Sequence, residues 1–167
     1  MNKNKQWINF TYLDRQHEAL KWEFKADYAS VLKDNTLILG DEVTKFECLF
    51  AEYCGVKYAA GVGNGLDALI LSLRSYIELG FMEEGDEVIV PANTYIASIL
   101  AITESRLKPV LVEPDIKTYN ITHEVIENAI TDKTKAIMIV HLYGQTADVD
   151  PIRIIAKKYN LKIIEDA

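Results

Sequence analysis

Gly85-Asp86-Glu87-Val88-Ile89-Val90-Pro91-Ala92-Asn93-Thr94-Tyr95 is the stretch that decides the fold. Residues 87–91 are dense in β-branched side chains and place apolar groups on both faces, as a strand covered on both sides requires. Asn93 or Thr94 then stands where a helix N-cap belongs, ahead of Ile96, Ile99 and Leu100. A strand that feeds directly into a helix predicts parallel strands joined by crossover helices.

The same rhythm runs outward from there. Further strands are expected over 58–62, 109–113, 136–141 and 162–165, each apolar on both faces. Leu66, Leu69, Ile70, Leu73 and Ile77 form one helical stripe, and Thr122 caps a helix that turns Val125, Ile126, Ala129 and Ile130 inward. Asp150, followed by Pro151 at the first helical position, opens another helix carrying Ile152, Ile155, Ala156 and Tyr159. Upstream, a long helix is expected over 14–33 with Leu20, Phe24, Tyr28 and Val31, broken at Asp34-Asn35. Asp41 then caps a helix that buries Val43, Phe46, Phe50 and Tyr53. The fold class is α/β, a mostly parallel sheet with helices on both faces, preceded by an N-terminal helical arm. The arm spans 1–56 and the α/β part 57–167, with no repeat, low-complexity stretch or linker between them. The sequence stops at Ala167, just after an apolar strand whose covering helix is missing, so a fragment of a longer protein is expected.

Composition narrows the function. The 167 residues are 49% hydrophobic and carry 18 Lys and Arg against 25 Asp and Glu, a net charge of −7. That is enough apolar material for a core, and disorder or a coiled-coil rod does not fit it. The acidic balance, without a basic cluster, argues against nucleic acid and anionic membrane surfaces as partners. Residues 1–9 are polar and lack the apolar segment of a secretory signal, and no apolar run is long enough to span a bilayer, so a cytoplasmic location is expected. Cys48 and Cys54, six apart, match neither a redox pair nor zinc-ligand spacing. No metal site is expected, and both should be reduced thiols packed near a helix.

Three strand ends carry the candidate chemistry, because open α/β sheets bind ligands outside the carboxyl ends of their strands. In Gly61-Val62-Gly63-Asn64-Gly65, glycines allow close backbone approach and a helix N-terminus adds partial positive charge, which suits a phosphate. A glycine turn without a ligand is the alternative, since the full dinucleotide and P-loop fingerprints are absent. Tyr95 stands where its ring can stack on a planar ligand, or pack beneath its loop. Asp166 closes an apolar strand and needs a partner, whether a ligand or the cap of a following helix. Taken together, the three groups suit a phosphorylated aromatic heterocycle. Pyridoxal 5′-phosphate is such a molecule: phosphate on the loop, ring face on Tyr95, pyridine nitrogen on Asp166, whose charge keeps that nitrogen protonated.

Six ordered motifs carry a resemblance: Ile38-Leu39-Gly40 to Phe46, Gly61 to Leu69, Gly85 to Tyr95, Val112-Glu113-Pro114-Asp115, His141-Leu142-Tyr143-Gly144-Gln145 and Ile164-Glu165-Asp166-Ala167. From about residue 8 to 167 the chain resembles the DegT/DnrJ/StrS sugar-nucleotide aminotransferases. The resemblance implies fold type I of the pyridoxal-phosphate enzymes and a homodimer with sites at the subunit interface. It also implies amino transfer, usually from glutamate, to a keto group on a nucleotide-linked sugar. The wording around Asn64 and Thr94 is most similar to enzymes acting on dTDP-3-keto-6-deoxyhexoses, in amino-sugar and lipopolysaccharide-type biosynthesis. Carried over by motif, Gly63, Asn64 and Gly65 match the phosphate turn, Tyr95 the stacking aromatic and Asp166 the pyridinium partner. The Schiff-base lysine of the family lies downstream of Asp166, so this chain holds no catalytic residue of that kind and is expected to be inactive alone. A non-catalytic remnant or binding module of the same fold is the competing reading. A free-standing nucleotide-binding domain would need an acidic residue at the end of the second strand, which instead ends in Val90-Pro91-Ala92.

Overall fold

The computed structural model describes residues 10–167; the polar stretch 1–9, and with it the start of the family-like region, lies outside the described residues. The chain forms two compact units, Met1–Gly61 and Val62–Ala167.

The first unit holds α1 (Asp14–Asp34) and α2 (Asp41–Cys54). Asn35 ends α1 in the left-handed conformation, as the Asp34-Asn35 break predicts, and Gly55 ends α2 with φ 66°. Here the expected burial fails. Gly40, not Asp41, takes the N-cap position of α2, and Ala51 is the buried residue of that helix. Val43, Phe46, Phe50 and Tyr53 are all exposed, with Phe46 and Phe50 stacked on each other at 5.5 Å. Cys48 and Cys54 are free but exposed rather than packed, because so small a core reaches little of α2.

The second unit is a four-stranded parallel sheet ordered β2-β1-β3-β4. Its strands are β1 (Glu87–Pro91), β2 (Lys108–Val112), β3 (Thr134–Val140) and β4 (Lys162–Asp166), with α3 (Gly65–Glu78), α4 (Ile96–Glu104), α5 (His123–Ala129) and α6 (Val149–Lys158) between and before them. Side chains alternate faces along each strand. Val88, Val90, Ala136, Met138 and Ile164 therefore pack with Leu69, Leu73, Ala101 and Ile102 of α3 and α4. Ile89, Ile137 and Ile139 pack with Ile126, Ile152, Ile155 and Ala156 of α5 and α6 on the other side. Strand β2 begins one residue earlier than expected, at Lys108, and departs from the expected apolar pattern in that Leu111 is exposed on this sheet edge.

Three further expectations are corrected. Residues 58–62 form no strand: Ala59-Ala60-Gly61 offers little to bury, and Glu47 rather than a ladder takes the Gly61 N–H, at 2.7 Å. Helix α4 starts with Tyr95 at its N-cap because Asn93 and Thr94 are engaged elsewhere, Asn93 donating to the Tyr119 carbonyl and Thr94 bonding Ser98. Its buried side carries Ser98, Ala101 and Ile102 rather than Ile96 and Leu100. Helix α6 begins earlier than expected, with Asp148 at the N-cap, which puts Pro151 third in the first turn, where its missing N–H costs no helix bond.

At the amino end of the sheet, Glu87 is buried and accepts from Lys108 at 2.9 Å and Thr131 at 2.6 Å, pinning β1 to β2 and to the turn that leads into β3. Those hydrogen bonds, that of Lys108 first, hold the Glu87 carboxyl below its ordinary 4.5. Among the described residues no helix is long and apolar enough to cross a membrane, and no group of His, Cys, Asp and Glu is placed to hold a metal.

Candidate functional site

The chain leaves β1 for β2 on one side and returns to β3 on the other, so the carboxyl ends of β1 and β3 flank a switch point where open sheets form a crevice. A cleft of about 490 Å³ lies there, lined by Asn64, Gly65, Tyr95, Ser98, Tyr143 and Asp166 among others. A larger hollow of about 840 Å³ occupies the opposite, amino end of the strands and contains none of the predicted site residues.

Asn64 caps α3, its side-chain oxygen accepting from the Asp67 N–H at 2.9 Å while its amide donates to the Asp67 carboxylate at 3.0 Å. The next N–H groups, of Gly65 and Leu66, have no acceptor among the described residues and stand at the positive end of a 14-residue helix. Gly63 does not line the cleft. A side chain there would meet the Asp67 carboxylate, 2.8 Å from the position of a Cβ, and would have to displace it from the Asn64 amide. Tyr95, at the N-cap of α4, exposes most of its side chain at the cleft.

Asp166 ends β4, and its backbone carbonyl accepts from the His141 N–H at 3.0 Å. Its Oδ2 accepts a 2.6 Å hydrogen bond from Ser98. A hydroxyl has one proton to give, so Thr94, 2.8 Å from Ser98, donates into it, and the relay runs Thr94 to Ser98 to Asp166. Oδ1 of Asp166 has no protein donor among the described residues. The partner that this carboxylate requires is thus a hydroxyl, with one oxygen left for a ligand, and the residue is half-buried rather than buried. His141 braces the neighbouring turn: its Nδ1 accepts from the Ala147 N–H at 3.2 Å, so in the neutral ring Nε2 carries the proton and donates to Glu165 at 3.1 Å.

Asn64, Gly65, Tyr95 and Asp166 therefore meet at one cleft. Ser98 is the site residue that the sequence reading passed over. Its signal is a polar residue sharing the buried side of α4 with Ala101 and Ile102.

Residues 18–167 match the DegT/DnrJ/EryC1/StrS aminotransferase family. The chain belongs to that family. Within it, the chain is 56% identical over 157 residues to the dTDP-3-amino-3,6-dideoxy-alpha-D-galactopyranose transaminase of Aneurinibacillus thermoaerophilus, covering 93% of this chain and 42% of that protein. It is 44% identical over 160 residues to the dTDP-3-amino-3,4,6-trideoxy-alpha-D-glucose transaminase of Streptomyces venezuelae, covering 96% of this chain and 41% of that protein. Among solved structures, S. venezuelae DesV in complex with a ketimine intermediate superposes with a TM-score of 0.91 at 44% identity, over 96% of this chain and 42% of that one. Bacillus subtilis NtdA with bound cofactor PMP gives 0.88 at 34% identity, over 99% and 38%. The α/β fold of this DegT/DnrJ/EryC1/StrS chain is thus that of the N-terminal part of the large domain of fold type I enzymes. The chain spans about two fifths of the length of the curated relatives it matches.

Proposed function

We propose that this chain supplies the cofactor cradle of a pyridoxal-phosphate-dependent aminotransferase. Its reaction moves an amino group from glutamate to a keto group of a nucleotide-linked deoxysugar, dTDP-linked by its nearest wording, toward amino sugars of cell-surface polysaccharides such as lipopolysaccharide. The observation that carries this reading is the convergence of Asn64, Gly65, Tyr95 and Asp166 on one cleft at the switch point.

The free donors and acceptors suit that cofactor. The Gly65 and Leu66 N–H groups donate to a phosphate at the N-terminus of α3, in a turn where Gly63 leaves room for the Asp67 carboxylate and Asn64 holds the shape. Tyr95 covers a ring face. Asp166, oriented by Ser98, offers Oδ1 to a protonated ring nitrogen and holds the proton there. When bound, the cofactor supplies an electron sink for amino-group chemistry.

No lysine lines the cleft among the described residues, so the Schiff-base lysine is assigned to sequence beyond the strand that ends in Asp166, and the chain alone should not transaminate. In this reading residues 1–56 form an arm and 57–167 a partial cofactor-binding domain of a cytoplasmic homodimer, with neither nucleic acid nor membrane as partner. A binding module that kept the sheet and lost the chemistry is the competing reading. An open reading frame past Ala167 carrying a strand and then a lysine supports the enzyme; a stop codon supports the module.

The test of the cradle is a calorimetric titration of the chain with pyridoxamine 5′-phosphate. Saturable binding that weakens about tenfold or more in Asp166→Ala, in the range of one charged hydrogen bond, is expected. Binding indifferent to that change, or none, overturns the cradle.

A further inference from the structure

Tyr143 sits in the middle of the turn that follows β3, in the left-handed region at φ 56° and ψ 25°. Sterics disfavour that conformation for a bulky side chain, and glycine is the residue that adopts it freely. Packing offers nothing in return: the residue is 92% exposed, and its side chain makes no hydrogen bond or ring contact among the described residues.

The turn is nevertheless held from several sides. Asn120, only 3% exposed, accepts from the Leu142 N–H at 3.4 Å and donates to the Gln145 carbonyl at 3.0 Å, clasping the turn across Tyr143. The Gly144 N–H bonds the His141 carbonyl at 3.1 Å. Of the described non-glycine residues with positive φ, Tyr143 is the one that lines the switch-point cleft, so its enforced conformation delivers an exposed ring there.

The cofactor assignments leave this ring free. Phosphate, ring face and ring nitrogen are taken by the α3 turn, Tyr95 and Asp166. Resting on that reading of the cleft, we propose that Tyr143 is a substrate-contact residue for the sugar of the nucleotide-linked acceptor, and that Asn120 is the positioning residue that holds it there. The chemistry fits. An aromatic face packs against the C–H face of a hexose, and a phenol hydroxyl both donates to and accepts from sugar hydroxyls.

The test loads the chain with pyridoxamine 5′-phosphate and titrates it with dTDP-glucose and with dTDP, following saturation transfer to the sugar protons by NMR. Tyr143→Gly is the informative variant, because glycine relieves the strained φ. Its thermal midpoint should stay equal or rise, while its affinity for dTDP-glucose falls about tenfold, the scale of one aromatic contact. Its affinities for dTDP and pyridoxamine 5′-phosphate should not change. Tyr143→Phe should retain most of the sugar affinity. Asn120→Ala should reproduce the sugar defect with cofactor affinity intact.

A Tyr143→Gly chain that binds dTDP-glucose as the parent does, or that loses stability along with affinity, overturns the proposal and leaves the cradle standing. So does a loaded parent chain that ignores dTDP-glucose. A parent chain that fails to bind pyridoxamine 5′-phosphate overturns the cradle, and this proposal with it.

Discussion

Ser98, fully buried on α4, donates a 2.6 Å hydrogen bond to Oδ2 of Asp166 at the end of β4, joining residues 68 apart in the chain. The bond fixes the carboxylate at the cleft and ties the helix after β1 to the far strand of the sheet. Ser98→Ala should therefore lower stability by about 1–2 kcal/mol, the cost of stripping one hydrogen bond from a charged acceptor in a half-buried setting. Thr94→Val, one step back in the relay, should cost less. Chemical denaturation of the two variants beside the parent checks the order.

Asp166 and Tyr95 should differ sharply in a complete enzyme bearing this chain. With Asp166 on the ring nitrogen as proposed, Asp166→Ala removes a charge-assisted contact in a partly desolvated site, worth about 3–5 kcal/mol, or on the order of a hundred- to several-thousand-fold in rate. Tyr95→Phe keeps the ring, whose proposed stacking is worth about 0.5–1.5 kcal/mol beyond its area, and should stay within a few-fold of the parent. Single-turnover conversion of bound cofactor by glutamate measures both. A near-normal Asp166→Ala beside a dead Tyr95→Phe contradicts the assigned roles.

Asn64 separates helix capping from anion binding. Asn64→Ala loses the bond to the Asp67 N–H and should cost about 1 kcal/mol of stability. Asn64→Asp keeps an acceptor for that N–H but places a second carboxylate beside Asp67, so the helix should survive while affinity for inorganic phosphate drops. Melting curves and phosphate titrations on the pair distinguish the two effects.

Much of this was legible in the residues, for physical reasons. Val88, Ile89 and Val90 announce a covered strand because both faces of β1 meet helices, and Asp166 announces a partner because a carboxylate at the end of an apolar strand is costly to leave alone. What failed depended on tertiary competition. Asn93 and Thr94 have the chemistry of helix caps, yet the Tyr119 carbonyl and Ser98 claim their side chains, and Tyr95 stands at the N-cap instead. The periodicity of Phe46, Phe50 and Tyr53 predicts an apolar face correctly, but no periodicity says whether the chain itself covers that face. The strained φ of Tyr143 has no sequence signature, since Leu142-Tyr143-Gly144 reads as a turn with glycine, the usual left-handed residue, one position later.

Glu87 makes the stability of the sheet depend on acid. Its carboxyl titrates below 4.5 when folded, because Lys108 and Thr131 hydrogen-bond its charged form. A lowered folded value means that the stabilisation is fully present above about pH 4.5, the unfolded range, and is lost as pH falls through the folded value. Glu87→Gln should cost about 1–3 kcal/mol at neutral pH and should flatten the fall in thermal midpoint below pH 4.5. Melting temperatures taken from pH 7 down to pH 3 test the sign; an equally steep acid limb in the variant would show that other carboxylates govern it.

The α3 turn, Tyr95 and Asp166 are proposed to hold one ligand together. Amide chemical-shift mapping of the isotopically labelled chain during titration with pyridoxamine 5′-phosphate tests it most directly. The amides of Gly65, Leu66, Tyr95 and Asp166 should shift along a single binding isotherm, and in Asp166→Ala all of them should move to weaker affinity together. Shifts confined to the hollow between Gly80 and Lys162 at the other end of the sheet, or separate isotherms for the α3 turn and Asp166, would contradict it.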